Sequence, residues 1–316
     1  MYFASSFFRA KARAALKGRW QTALLIALIV SLPSLLAQAI VSFTGNDLMT
    51  RLGNLYLSAS RDGILTQQLL QQEIDSYITD GGLATAGGLN LAAFLITPFL
   101  ALGMYKWMLD RVRGMADEPV STVFCRAPLF FKAIGLRLLT ALKILLWMLP
   151  GAALLAASMI PVWRAGNEQE ALNAALRLSN AFMFPAIAAM VVPGVMAALR
   201  YAMSEFILAD EPETGILECI RRSKKHMQEM KRMLFTLVLS FILWYLLGSI
   251  VSTFLSFGSN TVSLIIQMLV ELALTAYISA SEAAFYLETM PGRIPKHSGA
   301  EEDPAGTGDE DQTSPD

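Results

Sequence analysis

Residues 200–247 read RYAMSEFILADEPETGILECIRRSKKHMQEMKRMLFTLVLSFILWYLL. An apolar run ends near Arg200, and a short acidic turn follows at Asp210, Glu211 and Pro212. A basic amphipathic segment then passes without a breaker into a second apolar run beginning near Leu234. Pro212 suits the first turn of a helix, where its missing N–H removes no intrahelical bond. Asp210 is placed to cap that helix, and Glu211 and Glu213 would sit at the positive end of its dipole. Arg221, Arg222, Lys224, Lys225, Lys231 and Arg232 fall toward the far end, where cations are favoured. The stretch predicts a helix over 210–233 that lies on a membrane surface and then re-enters the bilayer.

Working outward, apolar runs recur at about 22–43, 89–109, 144–162, 181–201, 234–256 and 262–287. Only 16% of the 316 residues are charged against 54% hydrophobic, far from the roughly 25% charged of a soluble domain. The expectation is an all-α polytopic membrane protein of six transmembrane helices with interfacial amphipathic helices over residues 22–290. Residues 1–21 carry Arg9, Lys11, Arg13, Lys17 and Arg19 with Phe3, Phe7, Phe8 and Leu16 interleaved, predicting a basic amphipathic helix on an anionic leaflet. Ala37-Gln38-Ala39 resembles a signal-peptidase site, but the long basic segment before it and the apolar continuation through Phe43 argue for a retained span.

The outer polar loop 44–86 has Leu48, Leu52 and Leu55, then Leu65, Leu69, Leu70 and Ile74, spaced for two short amphipathic helices. Arg126, Lys132, Arg137 and Lys143 share an arc of roughly 140° on a helical wheel, predicting an interfacial helix ahead of the third span. Pro150-Gly151 is read as a kink in that span. Residues 291–316 are acidic and rich in Pro and Gly, a composition that stays disordered.

Of the 25 Lys and Arg, 21 fall in segments on one side of this arrangement, while Arg51, Arg61, Arg164 and Arg177 fall on the other. The positive-inside rule then predicts both termini in the cytoplasm.

ILADEP at 207–212, Ser223, Met227, Lys231, LF at 234–235, LSFxxW at 239–244 and FYLE at 285–288 resemble a bacterial integral membrane family, domain of unknown function 975. The resemblance implies the architecture and no activity. Glu229 and Leu243 stand where that family usually has Gly.

No G-x-S-x-G, H-E-x-x-H or Walker-type pattern occurs. Two Cys without a Cys-x-x-Cys and two His support neither a disulfide framework nor a metal site, so no enzyme activity and no cofactor are expected. Glu271 is the acid deep inside a span, about 14 Å from its outer start. A carboxylate there is neutral, paired or facing a wet cavity, with Gln267 one turn away or Lys143 as candidate partners. Two functions follow. One is a scaffold or accessory subunit whose basic residues, from Arg221 to Arg232, bind anionic lipid or a partner protein. The other is a small-solute permease with Glu271 in its path. Nucleic acid is not expected, because anionic lipid already surrounds these bases. A homo-oligomer is left open.

Overall fold

The computed structural model describes residues 5–43, 51–53, 55, 67–115, 119–164, 183–256 and 260–290. Nine helices and one 3-10 segment order these residues: α1 (Ser5–Leu16), α2 (Trp20–Phe43), α3 (Gln67–Thr79), α4 (Gly82–Val112), the 3-10 segment (Val120–Leu129), α5 (Phe130–Trp163), α6 (Met183–Tyr201), α7 (Ser204–Asp210), α8 (Ile216–Ser256) and α9 (Asn260–Thr289). Six of them, α2, α4, α5, α6, α8 and α9, are long and apolar enough to cross a membrane. The fold is all-α and multi-pass. Residues 242–247 of α8 are exposed in an unbroken row, so every side of that helix meets solvent. Leu243 is 70% exposed, and only lipid accommodates such a surface without cost.

The buried core lies toward the end of the bundle where the basic segments meet. Phe8, Leu16, Ile26, Trp107, Met108, Phe206, Met227, Phe285 and Tyr286 are all fully buried there. The N-terminal helix belongs to this core. Phe8, Ala12 and Leu16 of α1 are completely covered, Phe8 meets Phe285 edge-on at 5.3 Å, and Lys11 pairs with Glu288. The apolar face expected to enter lipid is therefore occupied by α9 of the same chain.

Two close approaches depend on glycine. A Cβ at Gly103 of α4 would stand 1.9 Å from the carbonyl oxygen of Val123, and one at Gly151 of α5 would stand 2.3 Å from the backbone of Met190 in α6. Gly151 thus lets two spans pack backbone to backbone. Pro150 does not end α5, which is continuous from Phe130 to Trp163. The basic stretch expected to lead into the span at 144–162 does so as one piece: α5 is a single helix from Phe130, preceded by the 3-10 segment over Val120–Leu129.

Within the outer loop, α3 supplies one amphipathic helix. The other falls on residues partly outside those described, and residues 165–182 and the tail 291–316 lie wholly outside them.

Candidate functional site

Two groups of polar residues organise the protein, one at its basic end and one inside the bundle. At the basic end, α7 is the hub. Asp210, its last residue, takes Arg113 of α4 at 2.7 Å and the Tyr286 hydroxyl of α9 at 3.2 Å. Arg113 also lies 3.7 Å from Asp110, a nearly fully buried carboxylate paired with Lys106. Arg126 donates to the Ala209 carbonyl at 2.7 Å and Lys132 to the Pro212 carbonyl at 3.0 Å. Carbonyls at and just past a helix C-terminus have no intrahelical partner and carry partial negative charge, so cations belong there. The basic arc read from 126–143 is thus largely spent on α7.

Asp210 is not the cap of the basic helix. Its carboxylate is engaged by Arg113 and Tyr286, and α8 begins at Ile216, with the Cys219 amide donating to the Gly215 carbonyl at 3.0 Å. Along α8, Cys219, Ile220, Ser223 and Met227 are buried against the protein, and Ser223 donates to the Arg200 carbonyl at 3.1 Å. The apolar face of this helix therefore packs on the chain itself. Its bases point outward: Arg222 pairs with Glu211 at 2.7 Å and Glu218 at 3.0 Å, Arg221 with Glu218 at 2.9 Å, while Lys224, Lys225 and Arg232 are exposed and Lys231 half-buried.

Between the helices lies an open cavity of about 360 Å³ with polar groups in its wall. Glu271, Thr275, Ile278, Ser279 and Glu282 form its wall on α9, successive positions at helical spacing on one face. Ser31, Ser34 and Gln38 of α2 also line it, with Thr97 and Tyr105 of α4, Arg137 of α5 and Tyr245 of α8, among the apolar side chains of Val30, Leu35, Ala101 and Met104. Arg137 is held at 3.0 Å by Glu205 of α7, and Tyr105 lies near the same carboxylate. Glu282 lies near enough to Glu205 for the two charges to interact. This cluster links the cavity to the basic end, while Glu271 stands near Tyr245 toward the other.

The sequence singled out Glu271, and it opens onto the cavity. Lys143 does not join it. It lies six residues past Arg137, about 120° round α5, and is not part of the lining. The side chain of Gln267 is outside the described ones. Glu282 is the second carboxyl of the cavity. Gln38, read as part of a cleavage-site pattern, lines it too. The signal was present as Ser31, Ser34 and Gln38 at spacings of three and four, a polar stripe on an otherwise apolar span. Among the described residues, no group of three or more His, Cys, Asp or Glu is arranged to hold a metal ion.

A family model described as a protein of unknown function (DUF975) matches residues 2–290. The chain belongs to the DUF975 family. No curated protein and no solved structure matches it. Several residues that carried the DUF975 resemblance are packing and pairing residues: Asp210 meets Tyr286, Glu288 meets Lys11, Ser223 meets Arg200, and Met227 and Phe285 are fully buried. Glu229 and Leu243, the departures from the usual DUF975 glycines, are both exposed, so neither larger side chain presses on a neighbouring helix.

Proposed function

We propose that the membrane domain is a non-enzymatic permease that passes a small, positively charged solute through the cavity between Glu271 and Glu282. The observation that supports this reading is the shared polar cavity itself, whose volume falls in the range of small-molecule sites. Arg137 already has a carboxylate partner in Glu205. The charge left over on the wall is therefore acidic, and acidic groups at this depth attract cations. The charge bias of the loops supports a cytoplasmic side for the basic end and both termini, in the bacterial cell membrane that the family resemblance implies. Cysteine accessibility in proteoliposomes tests the reading. With Cys125→Ser as background, Thr275→Cys and Ser279→Cys should react with a cationic, membrane-impermeant methanethiosulfonate faster than with its anionic counterpart. Failure of both positions to react would mean a dry, closed cavity and would end the permease reading.

A second reading, an accessory subunit whose basic surface binds anionic lipid or a partner protein, is favoured by the exposure of Lys224 and Lys225 on α8. Replacing both by Glu should then weaken association with anionic nanodiscs by a few kcal/mol, at about 1 kcal/mol per base and with the charge reversed. Unchanged binding would remove this reading.

A further inference from the structure

We infer that the groove between α6 and α8 is a binding site for one anionic phospholipid. The inference is independent of any transport role for the cavity. The groove has a volume of about 530 Å³. Val191 and Val195 of α6 form one wall, and α8 forms the other with Glu229, Lys231, Arg232 and Phe235. The Ser223–Arg200 hydrogen bond brings the start of α8 to the end of α6, so the two walls run antiparallel from there into the bundle.

Two properties select the occupant. First, the apolar wall is uncovered: Val191 is 42% and Val195 39% exposed on a helix that crosses the membrane, so acyl chains are the material that covers it. Second, the cations on the opposite wall are available. Arg113, Arg126, Lys132, Arg137, Arg221 and Arg222 each have a carboxylate or carbonyl partner. Lys231 and Arg232 pair with no acid among the described residues. A dissolved anion would have no use for the valines, and a neutral lipid tail none for the cations. A lipid with a phosphate above an acyl chain uses both. Glu229 stands on the same wall and offsets one charge, which leaves the rim with one net positive charge and favours a lipid that carries net negative charge.

The test uses the full chain purified in detergent and native mass spectrometry with added dioleoyl phosphatidylglycerol, dioleoyl phosphatidylcholine or glycerol 3-phosphate. One phosphatidylglycerol per chain should be retained in preference to the other two. At about fivefold per cation, Arg232→Gln should weaken retention about fivefold and the Lys231→Gln/Arg232→Gln pair about 25-fold. Glu229→Gly should strengthen retention about fivefold. Val195→Trp fills the apolar wall with the charges intact and should abolish retention. Should Val195→Trp not fold, Arg232→Gln at its exposed position decides the matter. Equal retention of phosphatidylcholine, competition by glycerol 3-phosphate at matching concentration, or an Arg232→Gln variant that binds as wild type would overturn the inference.

Discussion

Asp210 shows what a single carboxylate does in this protein. It closes α7 and joins α4, through Arg113, to α9, through Tyr286. Both Asp210 and Arg113 are mostly shielded from solvent, so removing one leaves the other buried without its partner. Asp210→Ala should destabilise the protein by about 3 kcal/mol, and Tyr286→Phe by about 1 kcal/mol. The pair should be less than additive, because both act on one network. Thermal unfolding in detergent ranks the three variants, and an Asp210→Ala protein as stable as wild type would remove the hub role. ILADEP and FYLE were visible in the sequence as a resemblance. Their contact was not, because residues 76 apart in the chain leave no local period when they pair. Gly103 was equally silent: its need for a hydrogen in place of a side chain comes from Val123, and only the fold brings the two together. Gly103→Ala should yield little folded protein, whereas Gly114→Ala, with open space around it but a left-handed backbone (φ 74°), should cost only about 1 kcal/mol. Comparable yields of the two variants would contradict the packing argument.

The long helices were the most legible elements, because charge-poor apolar runs bounded by basic clusters can be read one segment at a time. Their continuity was harder to read. α5 passes through Pro150 without ending, and its basic first half runs unbroken into the span. The sign of an amphipathic face was legible and its partner was not. Ile220 and Met227 share a face with the buried Cys219 and Ser223, but the face meets protein. The two cysteines test both the packing and the topology. Cys125, on the 3-10 segment, is exposed, and Cys219, on α8, is buried. An impermeant thiol reagent applied to intact cells should modify neither. After permeabilisation it should modify Cys125 and leave Cys219 unreacted. Modification of Cys125 before lysis would place the basic end outside. Rapid reaction of Cys219 would mean that this face of α8 is not packed.

For the molecule as a whole, the cavity is the feature that sequence reasoning reached halfway. A lone acid within a span marks itself by its cost, which is how Glu271 came forward. The hydroxyls that face it are cheap in lipid and draw no attention singly. That the polar stripes of α2, α4 and α9 converge depends on helix rotation and tilt, which hydropathy does not carry. Glu271→Gln should preserve the fold, since the residue is exposed and its side chain supports no packing. Under the proposed reading it should slow modification of Thr275→Cys by the cationic reagent more than by the anionic one. Equal rates in both backgrounds would show that Glu271 does not set the charge preference of the cavity.

α8 contains no proline, and its one glycine, Gly248, lies beyond Tyr245. Its 41 residues extend about 61 Å, twice the hydrocarbon thickness of a bilayer. Such a rod has no joint at which to absorb a displacement between the groove and the cavity. Lys231 and Tyr245 are about 21 Å apart along its axis, so a tilt of roughly 10° about Lys231 swings Tyr245 sideways by about 4 Å. The helix is in this sense a lever with its handle among the headgroups and its tip at Glu271.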